Sequence, residues 1–376
     1  PANWEGVLAA ARGQTVSWYI WGGSESINTF VDTFYGRPLK ERYDITLKRV
    51  PLSDTVDAVN QVLSEKEAGK DPGSVDLIWI NGENFKAMKT GKLLFGPFAE
   101  ALPNFKYVDV EGKPTTRQDF SEKVEGLESP WGMAQFTFFA DGAKVTKLPQ
   151  SMAELAAFAA ANPGRVTYTA PPDFYGTTFL KQALYEHTPD KGPLYKPADD
   201  GTAGTLTTDL FENFLDGFHK SLWREGKQFP KAQADITQMV ADGELLVGLT
   251  FNPNEPANLV AEGKLPKTTI AWQHSGGTIG NTHFVAIPVN AKAKAGAQVF
   301  ADFLLSPEAQ AKKNDLKTWG DPTVLALSKL SADDAKMFAA SAVPGSVTAP
   351  APAILEPDAS WVPAIEKAWL TRYGKG

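Results

Sequence analysis

Four short stretches of this 376-residue chain combine small residues with side chains that carry an amide, a hydroxyl or a carboxylate. The stretches are Trp21-Gly22-Gly23-Ser24-Glu25, Asn81-Gly82-Glu83-Asn84, Asp173-Phe174-Tyr175-Gly176-Thr177-Thr178 and Asn252-Pro253-Asn254-Glu255. Small residues let a backbone approach a ligand, and the polar groups can hydrogen-bond to it. Asn and Gly also form turns for conformational reasons alone. It is therefore the recurrence of one composition that predicts a binding site.

Candidate ligand contacts are taken from these stretches and from one further tryptophan. They are Trp21, Gly22, Gly23, Ser24, Asn81, Glu83, Asn84, Trp131, Asp173, Tyr175, Gly176, Thr177, Asn252 and Glu255. Trp21 and Trp131 are the rings expected to stack on a ligand. The patterns around Trp79, Trp223 and Trp369 instead favour positions in a hydrophobic core.

The charge of the four stretches indicates which kind of ligand they would bind. None of them contains lysine or arginine, and each carries one carboxylate: Glu25, Glu83, Asp173 and Glu255. A dianion would be expected to gather arginines, whereas carboxylates and aromatic faces suit an organic cation. Acidic residues also complement helix dipoles at helix N-termini, so both interpretations stay open.

Signatures of catalysis are weak. The chain has no cysteine, and the G-x-S-x-G pattern that starts at Gly22 fails at Ser26. No P-loop, dinucleotide fingerprint or H-E-x-x-H motif is present, and the net charge of −7 argues against a nucleic-acid partner. We therefore predict a binding protein with no catalytic residue, metal or cofactor. A hydrolase that uses paired carboxylates outside the cytoplasm is the less favoured alternative.

The candidate residues follow predicted strands. Residues 15–21, 44–50 and 75–80 have strand patterns and alternate with helical ones, which favours a parallel sheet with right-handed crossovers. Residues 165–171 and 244–252 are predicted strands ahead of the other two stretches. Ligands of open α/β sheets bind beyond the carboxyl ends of the strands, which is where all four stretches fall.

The length of the chain favours two domains. Extended stretches at residues 129–141 and 281–289 are predicted to carry the chain between two lobes. We predict lobe 1 from residues 1–133 plus 283–376, including the C-terminal helices, and lobe 2 from residues 134–282. Two such crossings would form a hinge, with a ligand cleft between the lobes.

Residues 15–325 resemble the periplasmic solute-binding proteins of bacterial ABC importers. The resemblance is carried by VDLIWINGENF, ADGELLVGLTFN, AQVFADFLLSPEAQ and, most specifically, NPGRVTYTAPPDFYGTTF. Within the family the chain looks nearest to the thiamine- and polyamine-like binders, especially an uncharacterised thiamine-like branch. The adjacent tyrosines of the iron binders are absent. The resemblance implies an α/β fold of the two-lobed periplasmic-binding-protein type II, with two hinge crossings and C-terminal helices.

The resemblance also implies a mode of action. A monomeric receptor in the periplasm would close on its ligand because the ligand binds the closed form better. It would then deliver the ligand to a membrane permease driven by a separate ATPase. The first residues, PANWEGVLAAARGQ, show no signal peptide, as expected of a mature exported chain and equally of one never exported. The predicted ligand is a small polar cation, thiamine/pyrimidine- or polyamine-like, and the alternative is a neutral sugar.

Overall fold

A computed structural model of the chain describes residues 3–338, 343–347 and 349–374. Internal contacts divide the chain into two compact units. Unit 1 contains the described residues up to 133 and those from 282 to 338, and unit 2 contains those from 134 to 281 and from 343 onwards. The chain therefore passes from one unit to the other three times.

The described residues form eleven strands and fifteen α-helices. The strands are β1 (Thr15–Trp21), β2 (Thr46–Leu52), β3 (Leu77–Ile80), β4 (Gln118–Asp119), β5 (Glu122–Lys123), β6 (Glu128–Gln135), β7 (Thr137–Asp141), β8 (Gly248–Thr250), β9 (Thr269–Trp272), β10 (Thr278–Ala286) and β11 (Ala353–Ile354). The helices are α1 (Trp4–Ala11), α2 (Glu25–Phe30), α3 (Arg37–Tyr43), α4 (Thr55–Glu67), α5 (Gly82–Thr90), α6 (Met152–Ala161), α7 (Phe174–His187), α8 (Asp200–Leu210), α9 (Asp216–His219), α10 (Gln233–Ala241), α11 (Glu255–Ala261), α12 (Lys294–Leu304), α13 (Pro307–Asn314), α14 (Ala332–Lys336) and α15 (Trp361–Tyr373). None of these helices is both long and apolar enough to cross a membrane.

The sheet of unit 1 has a parallel core. Strand β1 pairs in parallel with β2 on one side and with β3 on the other, and β10 adds to β3 in the antiparallel sense. Val16, Trp18 and Ile20 of β1 are fully buried, as the alternating pattern of that strand requires. The predicted strands at 15–21, 44–50 and 75–80 and their parallel order are confirmed, as is the α/β fold class.

Unit 2 has a three-stranded antiparallel sheet in the order β8-β7-β9. The strand predicted at residues 165–171 is absent, although Val166 and Tyr168 within it are buried. The reason is that its backbone bonds are isolated: the N–H of Trp223 donates to the carbonyl of Val166, and the N–H of Leu246 donates to that of Arg165. Isolated bonds to separate partners do not form a ladder.

The C-terminal residues belong to unit 2, which corrects their predicted place in lobe 1. Helix α15 packs against α7 and α8, and its residues Trp361, Ile365 and Trp369 are part of the buried core of that unit. The apolar face of α15 gave no indication in the sequence of which core it would cover, because helical periodicity identifies a buried face without identifying its partner.

Candidate ligand-binding site

Two of the four candidate stretches lie next to each other in unit 1. Strands β1 and β3 are parallel neighbours, with Trp18 opposite Leu77 and Tyr19 opposite Ile78. Both strands end at the same edge of the sheet, so the loops that begin at Trp21 and at Asn81 emerge side by side. The structure thus brings together the first two stretches, as the strand pattern predicts.

Trp21 is exposed at this edge, with 43% of its surface accessible. Its indole ring lies directly against Gly23, where an added Cβ would overlap with the six-membered ring. A Cβ on Gly22 would lie 2.5 Å from Cβ of Pro51 on the neighbouring strand. The two glycines therefore make room for a tryptophan and for β2, and a direct contact between their backbone and a ligand stays a prediction.

The loop after Trp21 is held by its own side chains. Ser24 caps α2, because its Oγ accepts a hydrogen bond from the N–H of Ile27 at 3.3 Å. The side-chain amide of Asn28 donates to the carbonyl of Gly22 at 3.1 Å. These two bonds fix the loop beside the exposed ring.

The first residue of α5 is clamped by a carboxylate from a distant part of the chain. The N–H of Gly82, whose φ is +59°, lies 2.8 and 2.9 Å from the two carboxylate oxygens of buried Asp119. Around this contact Asn81 and Asn84 are half-buried and Glu83 is exposed. Sequence reasoning missed Asp119, which lies 37 residues from Gly82 and carries no local signal of this contact.

In unit 2, Asp173 caps the N-terminus of α7, the helix that it precedes. Its Oδ2 accepts hydrogen bonds from the N–H of Tyr175 at 3.0 Å, from the N–H of Gly176 at 3.4 Å and from the hydroxyl of Thr169 at 2.5 Å. A carboxylate used in this way is an N-cap of α7. The capping role that the sequence left open is therefore present.

Gly176 and Thr177, two predicted ligand contacts, are packed inside unit 2. A Cβ on Gly176 would overlap with the carbonyl oxygen of Thr169, so the glycine is required for close contact between α7 and that segment. The hydroxyl of Thr177 donates to Glu366 on α15 at 2.8 Å, and Thr177 is 4% exposed. Both residues thus contribute to the packing of the unit, and their contact with a ligand stays a prediction.

Glu255 is the most distinctive acidic residue of the candidate set. It is half-buried, and its Oε2 accepts hydrogen bonds from the hydroxyl of Thr250 and from the amide of Gln233, the latter at 3.3 Å. Burial raises its pKa, and these two hydrogen bonds oppose the rise only in part. Among the described lysines and arginines, none forms an ion pair with it.

The loops at 173–175 and 252–255 meet in unit 2. The ring of Phe174, 44% exposed, lies 5.2 Å from that of Phe251 and 5.5 Å from that of Tyr175. Burial raises the pKa of the Tyr175 hydroxyl, and the nearby charges of Glu255 and Asp173 raise it further. Asn252 braces the second loop by accepting from the N–H of Asn254. Phe174, absent from the predicted contacts, is the exposed aromatic ring of this surface.

Trp131 is a core residue of unit 1 and not an open stacking platform. It is 0% exposed, and its ring packs edge-on against Trp18, Trp79 and Trp319 at centroid distances of 5.2 to 5.6 Å. The buried ammonium of Lys313 lies 5.3 Å from its centroid. These neighbours enclose the ring, so a ligand would have to displace packed aromatic side chains to reach it.

Three helices, α4, α5 and α7, have a carboxylate that accepts hydrogen bonds from backbone N–H groups at their N-terminus. Asp54 accepts from the N–H of Val56 at the start of α4, Asp119 accepts from Gly82 at α5, and Asp173 caps α7. Free N–H groups at such ends are the usual backbone binding site for anions. In the described part of the chain no cluster of histidine and acidic side chains could hold a metal ion.

Comparison with known proteins identifies the family. Residues 35–340 match the family described as bacterial extracellular solute-binding protein. The chain belongs to this family. The members are binding proteins and not enzymes, so the predicted absence of catalysis agrees with the family. The role that the family gives this chain is thus that of an extracellular solute-binding protein.

One relative of this solute-binding protein covers nearly the whole chain: Protein YnjB of Escherichia coli (strain K12) is 45% identical over 374 residues, which are 99% of this chain and 94% of that protein. A putative extracellular solute-binding protein from Bordetella parapertussis has a similar fold, with a TM-score of 0.68 at 14% identity, over 95% of this chain and 98% of that one. The spermidine/putrescine ABC transporter substrate-binding protein PotD from Streptococcus pneumoniae has a TM-score of 0.63 at 14% identity, with the same coverage. These matches confirm the periplasmic-binding-protein type II fold.

Proposed function

We propose that this protein is a monomeric periplasmic receptor that delivers a small, polar, cationic organic molecule to the permease of an ABC importer driven by a separate ATPase. Thiamine- or pyrimidine-like compounds and polyamines are the ligand classes proposed. The family supports the role of a solute receptor. The ligand class is argued from the chemistry of the two candidate surfaces, and the predicted hinge closure stays a prediction.

A half-buried carboxylate without a cationic partner supports the positive charge of the ligand. Glu255 lies beside the aromatic group formed by Phe174, Tyr175 and Phe251, and no described lysine or arginine neutralises it. A buried carboxylate gains most from a charge that arrives with a ligand, because water no longer screens the pair fully. Aromatic faces next to the carboxylate add cation–π attraction.

The carboxylates at the helix N-termini argue against an anionic ligand and so also support a cationic one. An anionic ligand would compete with the carboxylates of Asp119 and Asp173 for the N–H groups that they already occupy. Each competing anion would also meet like charge at close range, which is unfavourable. A receptor built for a phosphate or a carboxylate would leave these positions free.

A neutral sugar is the second candidate, and two observations favour it. Trp21 and Phe174 are large aromatic side chains that remain about half exposed on the two units. Flat apolar rings of this kind suit the faces of pyranose sugars, and the surrounding amides and hydroxyls can serve sugar hydroxyls. Charge is the property that separates the two candidates.

A thermal-shift screen tests the proposal. The intact protein is heated alone and with thiamine, a pyrimidine, spermidine, putrescine, glucose, maltose, citrate and phosphate, each at two concentrations. A ligand at 100 times its Kd raises the free energy of unfolding by about 2.7 kcal/mol. A shift confined to the cations supports the proposal, and a shift confined to the sugars supports the second candidate. A shift with citrate or phosphate alone would contradict both.

A further inference from the structure

A strained hairpin lies beside the edge of the unit 1 sheet at which β1 and β3 end. Strands β4 and β5 pair with Gln118 opposite Lys123 and Asp119 opposite Glu122, so Phe120 and Ser121 form a two-residue turn. The φ angles of these two residues are +45° and +70°. A turn with two positive φ angles is of type I′, for which Asn-Gly is the favoured sequence. A phenylalanine in that position is a conformational outlier.

The hairpin is fastened to both ends of α5. Asp119, directly before the turn, binds the N–H of Gly82 with both carboxylate oxygens. At the other end of the helix the ammonium of Lys89 donates to Glu122 at 2.9 Å and to the carbonyl of Lys123 at 2.6 Å. The turn is therefore held in a fixed position at the start of α5, next to the loop 81–84.

The ring of Phe120 covers the first residue of that helix. A Cβ on Gly82 would lie 3.1 Å from Cδ2 of Phe120 and 3.2 Å from Cε2. The ring is half-buried, with Gly82 beneath it and the exposed Glu83 following in the chain. Phe120 is thus an aromatic side chain placed at the same sheet edge as Trp21.

We propose that the turn Phe120–Ser121 is a third ligand-contacting loop of unit 1 and that the Phe120 ring determines specificity. This inference rests on the proposed function as a receptor. Backbone strain concentrates at ligand clamps, where the surrounding structure enforces it. Here the two hydrogen bonds between Gly82 and Asp119 and the two donated by Lys89 hold the turn in its strained conformation. The strained residue is aromatic, although the sequence Asn-Gly would form this turn without strain. The ligand class is the one already proposed, an organic cation, whose charge the face of the Phe120 ring would attract.

Substitution of Phe120 tests the inference. Phe120→Asn suits the positive φ and removes the ring, so we expect a folded protein whose affinity for its ligand falls about tenfold, as the loss of one cation–π contact implies. Phe120→Tyr keeps the ring and should bind within about threefold of the wild type. Lys92→Gly is the matched control: Lys92 has a φ of +54° at the other end of α5 and is exposed, so relief of its strain should leave affinity unchanged.

The probes are thiamine, spermidine, glucose and a protein-free extract of bacterial metabolites, measured by calorimetry or by mass spectrometry of the retained compound. If the wild type binds none of them, the proposed function and this inference both fail. If the wild type binds a probe and Phe120→Asn binds it equally well, only this inference fails. It also fails if Phe120→Tyr loses as much affinity as Phe120→Asn. Should Phe120→Asn not fold, Phe120→Leu replaces it, with weakened binding expected and retained binding contradicting the inference.

Discussion

Replacing Glu255 with glutamine distinguishes a carboxylate that binds a ligand from one that serves the fold. Glutamine keeps the size of the side chain and an oxygen that can accept from Thr250 and Gln233, but it removes the charge. Two unit charges 4 to 6 Å apart attract by about 3–4 kcal/mol at an effective dielectric constant of about 20. Desolvation of the ligand offsets part of this. We expect binding of a cation to weaken by about 2–3 kcal/mol, roughly 30- to 150-fold.

Asp173 provides the matched control in the same unit. Its Oδ2 already accepts three hydrogen bonds from the start of α7 and from Thr169, so little of it remains for a ligand. Asparagine is nearly as good an N-cap as aspartate. Asp173→Asn should therefore change affinity by less than about fivefold and the free energy of unfolding by about 1 kcal/mol at most.

Calorimetric titration with thiamine and with spermidine at pH 7 measures both variants, and urea denaturation measures their stability. Burial raises the pKa of Glu255, so the ionised carboxylate is a cost to the folded state. The glutamine variant should consequently be as stable as the wild type or more so. Cation binding by Glu255→Gln within threefold of wild type, or an equal loss in Asp173→Asn, would refute the reasoning.

Four further predictions concern the stability of the two units that carry these surfaces. Trp131→Ala should lower the free energy of unfolding by about 3–5 kcal/mol in urea, because the ring is fully buried. Burial lowers the pKa of His219 to about 4, so between pH 6.5 and pH 4 the unfolded state binds the proton more strongly than the folded state does. The free energy of unfolding of unit 2 should therefore decrease by up to about 3 kcal/mol as the pH falls through this range. Burial raises the pKa of Asp302 to about 6, so the free energy of unfolding of unit 1 should increase by up to about 3 kcal/mol as the pH falls from 6 towards 4. Hydrogen exchange measured in each unit at pH 7 and at pH 5 should therefore show unit 2 losing stability and unit 1 gaining it. Lys181→Met should lower the free energy of unfolding by about 3–5 kcal/mol, because the carboxylate of Glu356 stays buried without the Lys181 ammonium. Replacing both residues by methionine should restore most of the lost stability in the same urea assay.

The strands of unit 1 were predictable because their signal is local. Alternation along 15–21 placed Val16, Trp18 and Ile20 on one face, and a sheet needs only that period to be recognised. The position of the candidate loops followed, since parallel neighbours present their carboxyl ends at one edge. The buried segment 165–171 has a similar composition without a partner strand, and composition alone does not distinguish the two cases.

The roles of single side chains were less predictable because they depend on contacts between distant parts of the chain. Trp21 and Trp131 both lie in strands, yet only Trp131 is enclosed, by Trp18 and Trp319 among others. Asp119 reaches Gly82 across 37 positions through a hairpin too short to give a periodic signal. Such partners become visible only in three dimensions, and they decide whether a polar or aromatic residue is free to meet a ligand.

The third passage of the chain between the units has a consequence for how the protein is made. The core of unit 2 includes Trp361 and Trp369, so that unit lacks part of its interior until these two residues have left the ribosome. Unit 1 is likewise interrupted, because α12 and α13 follow the whole of residues 134–281. Neither unit is a continuous segment that could finish folding during translation ahead of the other. A nascent chain organised in this way would stay incompletely folded, and hence open to export machinery and chaperones, until α15 has been synthesised.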